Sequence, residues 1–156
     1  MCDYSLYAIH NRLAEEGEEL ILHRFEAGTL GFASVSDLIK LDSTKKSKRD
    51  SIWTSMRDWL FPQRSEALPA ICIPPGTCLL LTDVPRNVQR ILCIAPSEVV
   101  VFTELSHRSH FYRDALLLTN GTRVLLQDLP EGIHAIVLST SSESSVMPVH
   151  TDTCAA

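Results

Sequence analysis

The sequence predicts an all-β fold, a small antiparallel β-barrel or sandwich with one helical insertion, on three observations. Short apolar segments recur through the chain at roughly 8–12 residue spacing, as in small sandwiches and barrels. Turn-forming Gly, Pro and Asn residues separate them. The apolar runs, such as Cys78 to Leu81 and Val99 to Phe102, have the length of strands rather than helices.

In chain order, residues 18–25 read as a first strand, and Gly28 and Gly31 punctuate the turn before a second that starts at Gly31. Residues 42–50 are polar and basic without apolar periodicity, which predicts an exposed loop. Ile52, Trp53, Met56, Trp59 and Leu60 then fall on one face at helical spacing. Asp50 or Ser51 stands at the cap position and Pro62 at the stop, so 50–61 is the predicted helix within an insertion of about 42–62.

Strands are predicted at 70–73 and 77–82 around Pro74-Pro75-Gly76, then at 88–94 after Pro85, and at 98–104 after Pro96. Asn120-Gly121 between two β-prone runs predicts a two-residue type I′ hairpin, with both central residues at positive φ. A last strand is expected at 133–138. The domain is thus expected over 1–138, with a flexible Ser/Thr-rich tail over 139–156.

The chain has 156 residues, 14 basic and 19 acidic, for a formal net charge of −5. That balance argues against general nucleic-acid binding, which needs many cations facing phosphate. No transmembrane run or secretory signal is read in the sequence, and five cysteines make an odd count. A reduced, cytoplasmic setting is therefore expected, with Cys72, Cys78 and Cys93 as small buried hydrophobes. No GxSxG, P-loop, GxGxxG or HExxH motif occurs.

Cys2 is the first candidate for chemistry. With Met1 removed, its thiol and α-amine are adjacent, and the pair suits an N-terminal nucleophile or a soft-metal chelate. His107 and His110 stand three apart, and His134 lies in the last predicted strand. Cys2, His107, His110 and His134 form the expected transition-metal set, for zinc, copper or iron. The alternative is Cys2 as the nucleophile of an amide- or thioester-cleaving enzyme. A third reading is a binding module whose basic stretch and Trp-bearing helix, residues 45–61, dock a protein groove or a membrane surface. Arg113 and Asp114 read as a strand-edge ion pair, and Glu15, Glu16, Glu18 and Glu19 as a solvated acidic face.

The opening Met1-Cys2-Asp3-Tyr4-Ser5-Leu6 resembles the start of a group of small uncharacterised bacterial proteins. Arg113-Asp114-Ala115-Leu116, Asn120-Gly121, Val124-Leu125-Leu126 and the stretch from Leu129 to Ala135 are similar to that group too. The resemblance covers about a third of the chain and implies no particular reaction. It directs attention to Cys2 and His134, which lie in the matching segments. That group often carries a His just before its Asp-Ala-Leu stretch. Phe111 and Tyr112 stand there in this chain, with His110 slightly upstream, and 42–62 reads as an insertion of its own.

Overall fold

A computed structural model describes residues 9–48, 68–105 and 112–140, the side chains of 44–48 excepted. The strands are β1 (Asn11–Leu13), β2 (Glu19–Arg24), β3 (Leu30–Ser34), β4 (Ala70–Cys72), β5 (Cys78–Thr82), β6 (Glu98–Glu104), β7 (Asp114–Leu117), β8 (Arg123–Leu125) and β9 (His134–Ser139). Two helices accompany them, α1 (Val35–Lys48) and α2 (Arg86–Leu92), with a 3-10 turn at Leu126–Asp128. The strands form one sheet in the order β1-β4-β3-β2-β9-β5-β6-β7-β8, curled into a half-barrel. Neighbours are antiparallel except β1 and β4, which run parallel. The all-β expectation with a helical insertion is what the chain adopts.

Alternation along the strands decides which face is inside. Leu20 and Leu22 of β2, Leu79 and Leu81 of β5, Val100 and Phe102 of β6, and Ala135 and Val137 of β9 are all buried in one core. Because side chains alternate with a period of two, that register sends Glu19, Ile21 and His23 to the opposite face. β3 is buried at all five positions. Its Leu30 and Phe32 enter the main core. Ala33 packs on the opposite face with Phe25, Ala70 and the α1 residue Leu38. Helix α1 therefore covers the outer face of the sheet where β3 passes beneath it.

The chain just after the edge strand β8 ties back to β3 through one side chain. β4 pairs with β3 only at Phe32 and Ile71. Leu30 lies outside that pairing, and Gln127 of the 3-10 turn takes its place. The Leu30 N–H donates to Gln127 Oε1 at 3.0 Å, and Gln127 Nε2 donates to the Leu30 carbonyl at 2.7 Å. The amide serves as a short strand, since it offers one donor and one acceptor as a peptide does.

Several local expectations are corrected. The helix over Val35–Lys48 includes residues read as an exposed loop. The segment contains no Gly or Pro, places Asp37 in its first turn, and joins Asp37 to Lys40 at 3.1 Å one turn on. Of its described side chains, Leu38 packs on the sheet beside Ala33. The predicted strand at 88–94 is also helical. α2 runs from Arg86 to Leu92, starts after Pro85 and buries only Val88. It ends in a left-handed Cys93 (φ 53°), with the Ile94 N–H donating to the Gln89 carbonyl at 3.1 Å. That is the Schellman closure, and Arg86, Gln89, Arg90 and Leu92 are good helix formers.

The hairpin turn differs as well. Gly121 has φ 82°, but Asn120 is not among the described non-glycine residues at positive φ. The Gly121 N–H donates to the Leu118 carbonyl and the Leu118 N–H to the Thr122 carbonyl. This is a three-residue loop with a left-handed glycine, not type I′. On β9, Cys78 pairs with Ser139 but Leu79 with Val137. Leu138 is the extra residue of the resulting bulge and points into solvent. The strand reaches Ser139, one residue past the predicted domain end. The predicted helix 50–61 and the chain beyond 140 lie outside the described residues.

Candidate functional site

The site is built where β1, the turn before β2 and the start of α1 meet. The chain leaves β1 and reverses through Glu15-Glu16-Gly17-Glu18, where the Glu18 N–H donates to the Glu15 carbonyl at 3.1 Å. Gly17 supplies the positive φ of 78° that this reversal requires. Three glutamates are thereby placed on one tight turn beside β2, whose first residue is Glu19. Across from them β3 passes directly into α1, which brings Asp37 into the same space.

Arg12 ties these pieces together. Its guanidinium grips Glu18 with both ends: one nitrogen lies 3.1 Å from Oε2 and the other bonds Oε1. The second nitrogen also lies 3.0 Å from Asp37 Oδ2. The fork geometry of Arg suits this two-point grip on a carboxylate. Burial pulls the Glu18 carboxyl upward, but the Arg12 hydrogen bond, the Glu15 amide and the Ser34 hydroxyl outweigh it and hold the carboxyl below its ordinary range. Asp37 behaves alike: burial raises it, while Arg12 and Lys40 lower it further than burial lifts it. Its Glu18 hydrogen bond, ahead of opposing burial, raises the Arg12 guanidinium still further above its usual range.

A cleft of about 650 Å³ opens over this cluster, lined by Arg12, Glu15, Glu16, Glu19, Ser36 and Lys40 among others. Its two cations are engaged already, Arg12 with Glu18 and Asp37, and Lys40 with Asp37. Glu15, Glu16 and Glu19 are exposed around them. The surplus charge of the cleft is therefore negative. Glu18 and Asp37 are held ionised, so at neutral pH they act through charge and not as proton donors.

His134 stands on β9 at the edge of this region, its Nδ1 3.3 Å from Glu19 Oε1. It is the expected ligand that the structure describes. Cys2, His107 and His110 lie outside the described residues. Among the described residues no group of three His, Cys, Asp or Glu side chains is set to hold a metal ion. His23 pairs instead with Glu131 at 3.2 Å and meets Phe25 edge-on at 5.2 Å between ring centres. His10 is exposed. Arg113 faces Glu104, the cross-strand neighbour of Asp114, at 3.8 Å.

The cysteines correct the sequence reading. Cys93 is an exposed free thiol and Cys78 a half-buried one. Cys72 is half-buried and disulfide-bonded, and its partner lies outside the described residues. None of the three is a buried free hydrophobe. The acidic run is corrected in part, because Glu18 is drawn out of the solvated face into the Arg12 pair. Arg12, Asp37 and Lys40 were not legible as site residues. Gly17 was the available signal, since a glycine inside a Glu run marks a reversal.

Searches against protein-family models, curated proteins and solved structures found no match for the chain. No helix among the described residues is long and apolar enough to cross a membrane.

Proposed function

We propose that this protein is a cation-binding module whose ligand sits in the cleft between the β1–β2 turn and α1. The observation that carries the reading is charge pairing. Both cleft cations are satisfied within the cluster, while Glu15, Glu16 and Glu19 face the opening. A positively charged ligand regains the Coulomb energy that three neighbouring carboxylates otherwise lose to mutual repulsion. The His134–Glu19 pair on the rim favours a transition-metal ion, for which imidazole nitrogen and carboxylate oxygen are apt donors. Cys2, His107 and His110 are the candidates to complete that coordination. The size of the cleft favours an organic polycation equally, because it falls in the range of small-molecule sites.

Calorimetric titration of the full chain with Zn²⁺ and, separately, with spermidine distinguishes the two. If a metal ion is the ligand, Zn²⁺ binds one to one and His134→Ala weakens it by about tenfold or more, as expected of a lost ligand bond. If a polycation is the ligand, spermidine binds, His134→Ala changes little, and the combined Glu15→Gln and Glu16→Gln variant weakens it by about tenfold. Saturable binding of neither overturns the proposal.

A further inference from the structure

We infer that Asn120 is a modification site, an asparagine whose deamidation is held in check by the end of helix α2. Asn120 and Gly121 are exposed at the tip of the β7–β8 hairpin, so water reaches them. Gly121 has no side chain to shield its backbone nitrogen, and even a Cβ built there would meet nothing within 4 Å. In the reaction the Gly121 backbone nitrogen loses its proton and attacks Asn120 Cγ. A C–N bond forms, the Cγ–Nδ2 bond breaks, and the nitrogen leaves as ammonia. Water then opens the five-membered imide on either side to give aspartate or isoaspartate, with no change of oxidation state.

The fold obstructs each part of this step. The attacking nitrogen is occupied, because the Gly121 N–H donates to the Leu118 carbonyl at 3.0 Å. The leaving group is occupied, because Asn120 Nδ2 donates to the Leu92 carbonyl at 2.8 Å. The remaining amide atom is fixed too, since Oδ1 accepts the Thr122 N–H at 2.9 Å. Rotating Cγ toward Gly121 N breaks the tie to Leu92, so the reaction requires the hairpin to part from α2. Its product cannot restore that tie. A carboxylate at position 120 has no N–H to give and faces a carbonyl oxygen at the negative end of a helix. Deamidation therefore records the parting of hairpin and helix and makes it permanent.

The test incubates the full chain at pH 8.5, native and in 8 M urea, and follows by peptide mass mapping the gain of about one mass unit that replacement of NH₂ by OH produces at Asn120. The expected result is a rate at least about tenfold slower in the native protein, since two hydrogen bonds must open first. A native rate equal to that in urea overturns the inference. Hydrogen exchange of Asn120→Asp checks the consequence. The Ile94 amide, which closes the α2 cap, exchanges about fivefold faster than in the unmodified chain, and an unchanged rate there overturns the coupling to α2.

Discussion

At Arg12 a single side chain holds two half-buried carboxylates from separate parts of the chain, Glu18 and Asp37. Its removal leaves two neighbouring negative charges with poor access to water, which costs more than the pair itself contributes. Arg12→Met is expected to lower stability by about 2 kcal/mol at pH 7, a value reduced from that of fully buried pairs because Arg12 is partly exposed. Urea denaturation reads this directly. The pH dependence has a definite sign. Both carboxyls are lowered in the folded state, so their contribution is complete above their unfolded values of about 4 and disappears as pH falls through the folded values. The unmodified protein should lose stability steeply below about pH 4, and Arg12→Met should show a shallower acid limb. Identical acid limbs in the two proteins would refute the assignment.

The helices show what local composition leaves open at the scale of an element. α2 carries the β-prone Val88 and Ile91, yet it is helical, and Arg86, Gln89, Arg90 and Leu92 are good helix formers. Pro85 at its start and the left-handed Cys93 at its end close both termini on a segment of seven residues. A non-glycine residue in the left-handed region carries a Cβ clash of roughly 1–2 kcal/mol. Cys93→Gly relieves it at some cost in unfolded-chain entropy. A net gain of about 0.5–1 kcal/mol is expected, visible as a raised thermal midpoint. A lowered midpoint would mean that the exposed thiol of Cys93 is held by something the cap geometry does not show. α1 teaches the complementary lesson. Its apolar side is thin because it covers a narrow outer strip around Ala33, so periodicity alone did not reveal it.

For the whole molecule, a curled sheet has two free edges, and its cohesion depends on what spans them. Gln127, just after the edge strand β8, ties back to β3 with two hydrogen bonds to one residue, Leu30, 97 positions away in sequence. Gln127→Ala leaves a backbone donor and a backbone acceptor without these partners and is expected to cost about 2 kcal/mol. Gln127→Glu keeps the acceptor but sets a carboxylate oxygen against the Leu30 carbonyl, so its cost should be no smaller. An unchanged stability in Gln127→Ala would show that the amide contributes nothing to holding Leu30.

The sequence by itself determined the strand-rich class, because turn residues and a period of two are local properties of the chain. It marked the strands β2, β5, β6 and β9 by their apolar runs, and it marked Gly121 as a turn residue. It also marked His134 as a candidate ligand, which the structure sets beside Glu19. Tertiary structure alone decided that Arg12 meets Glu18 and Asp37, and that these acids are held by a cation instead of lying on a solvated face. The reason is physical. A residue's period is written in its neighbours, whereas the partner of a charge is chosen by strand order and helix placement. Neither of those is encoded in the stretches of chain that place Glu18 six positions and Asp37 25 positions after Arg12.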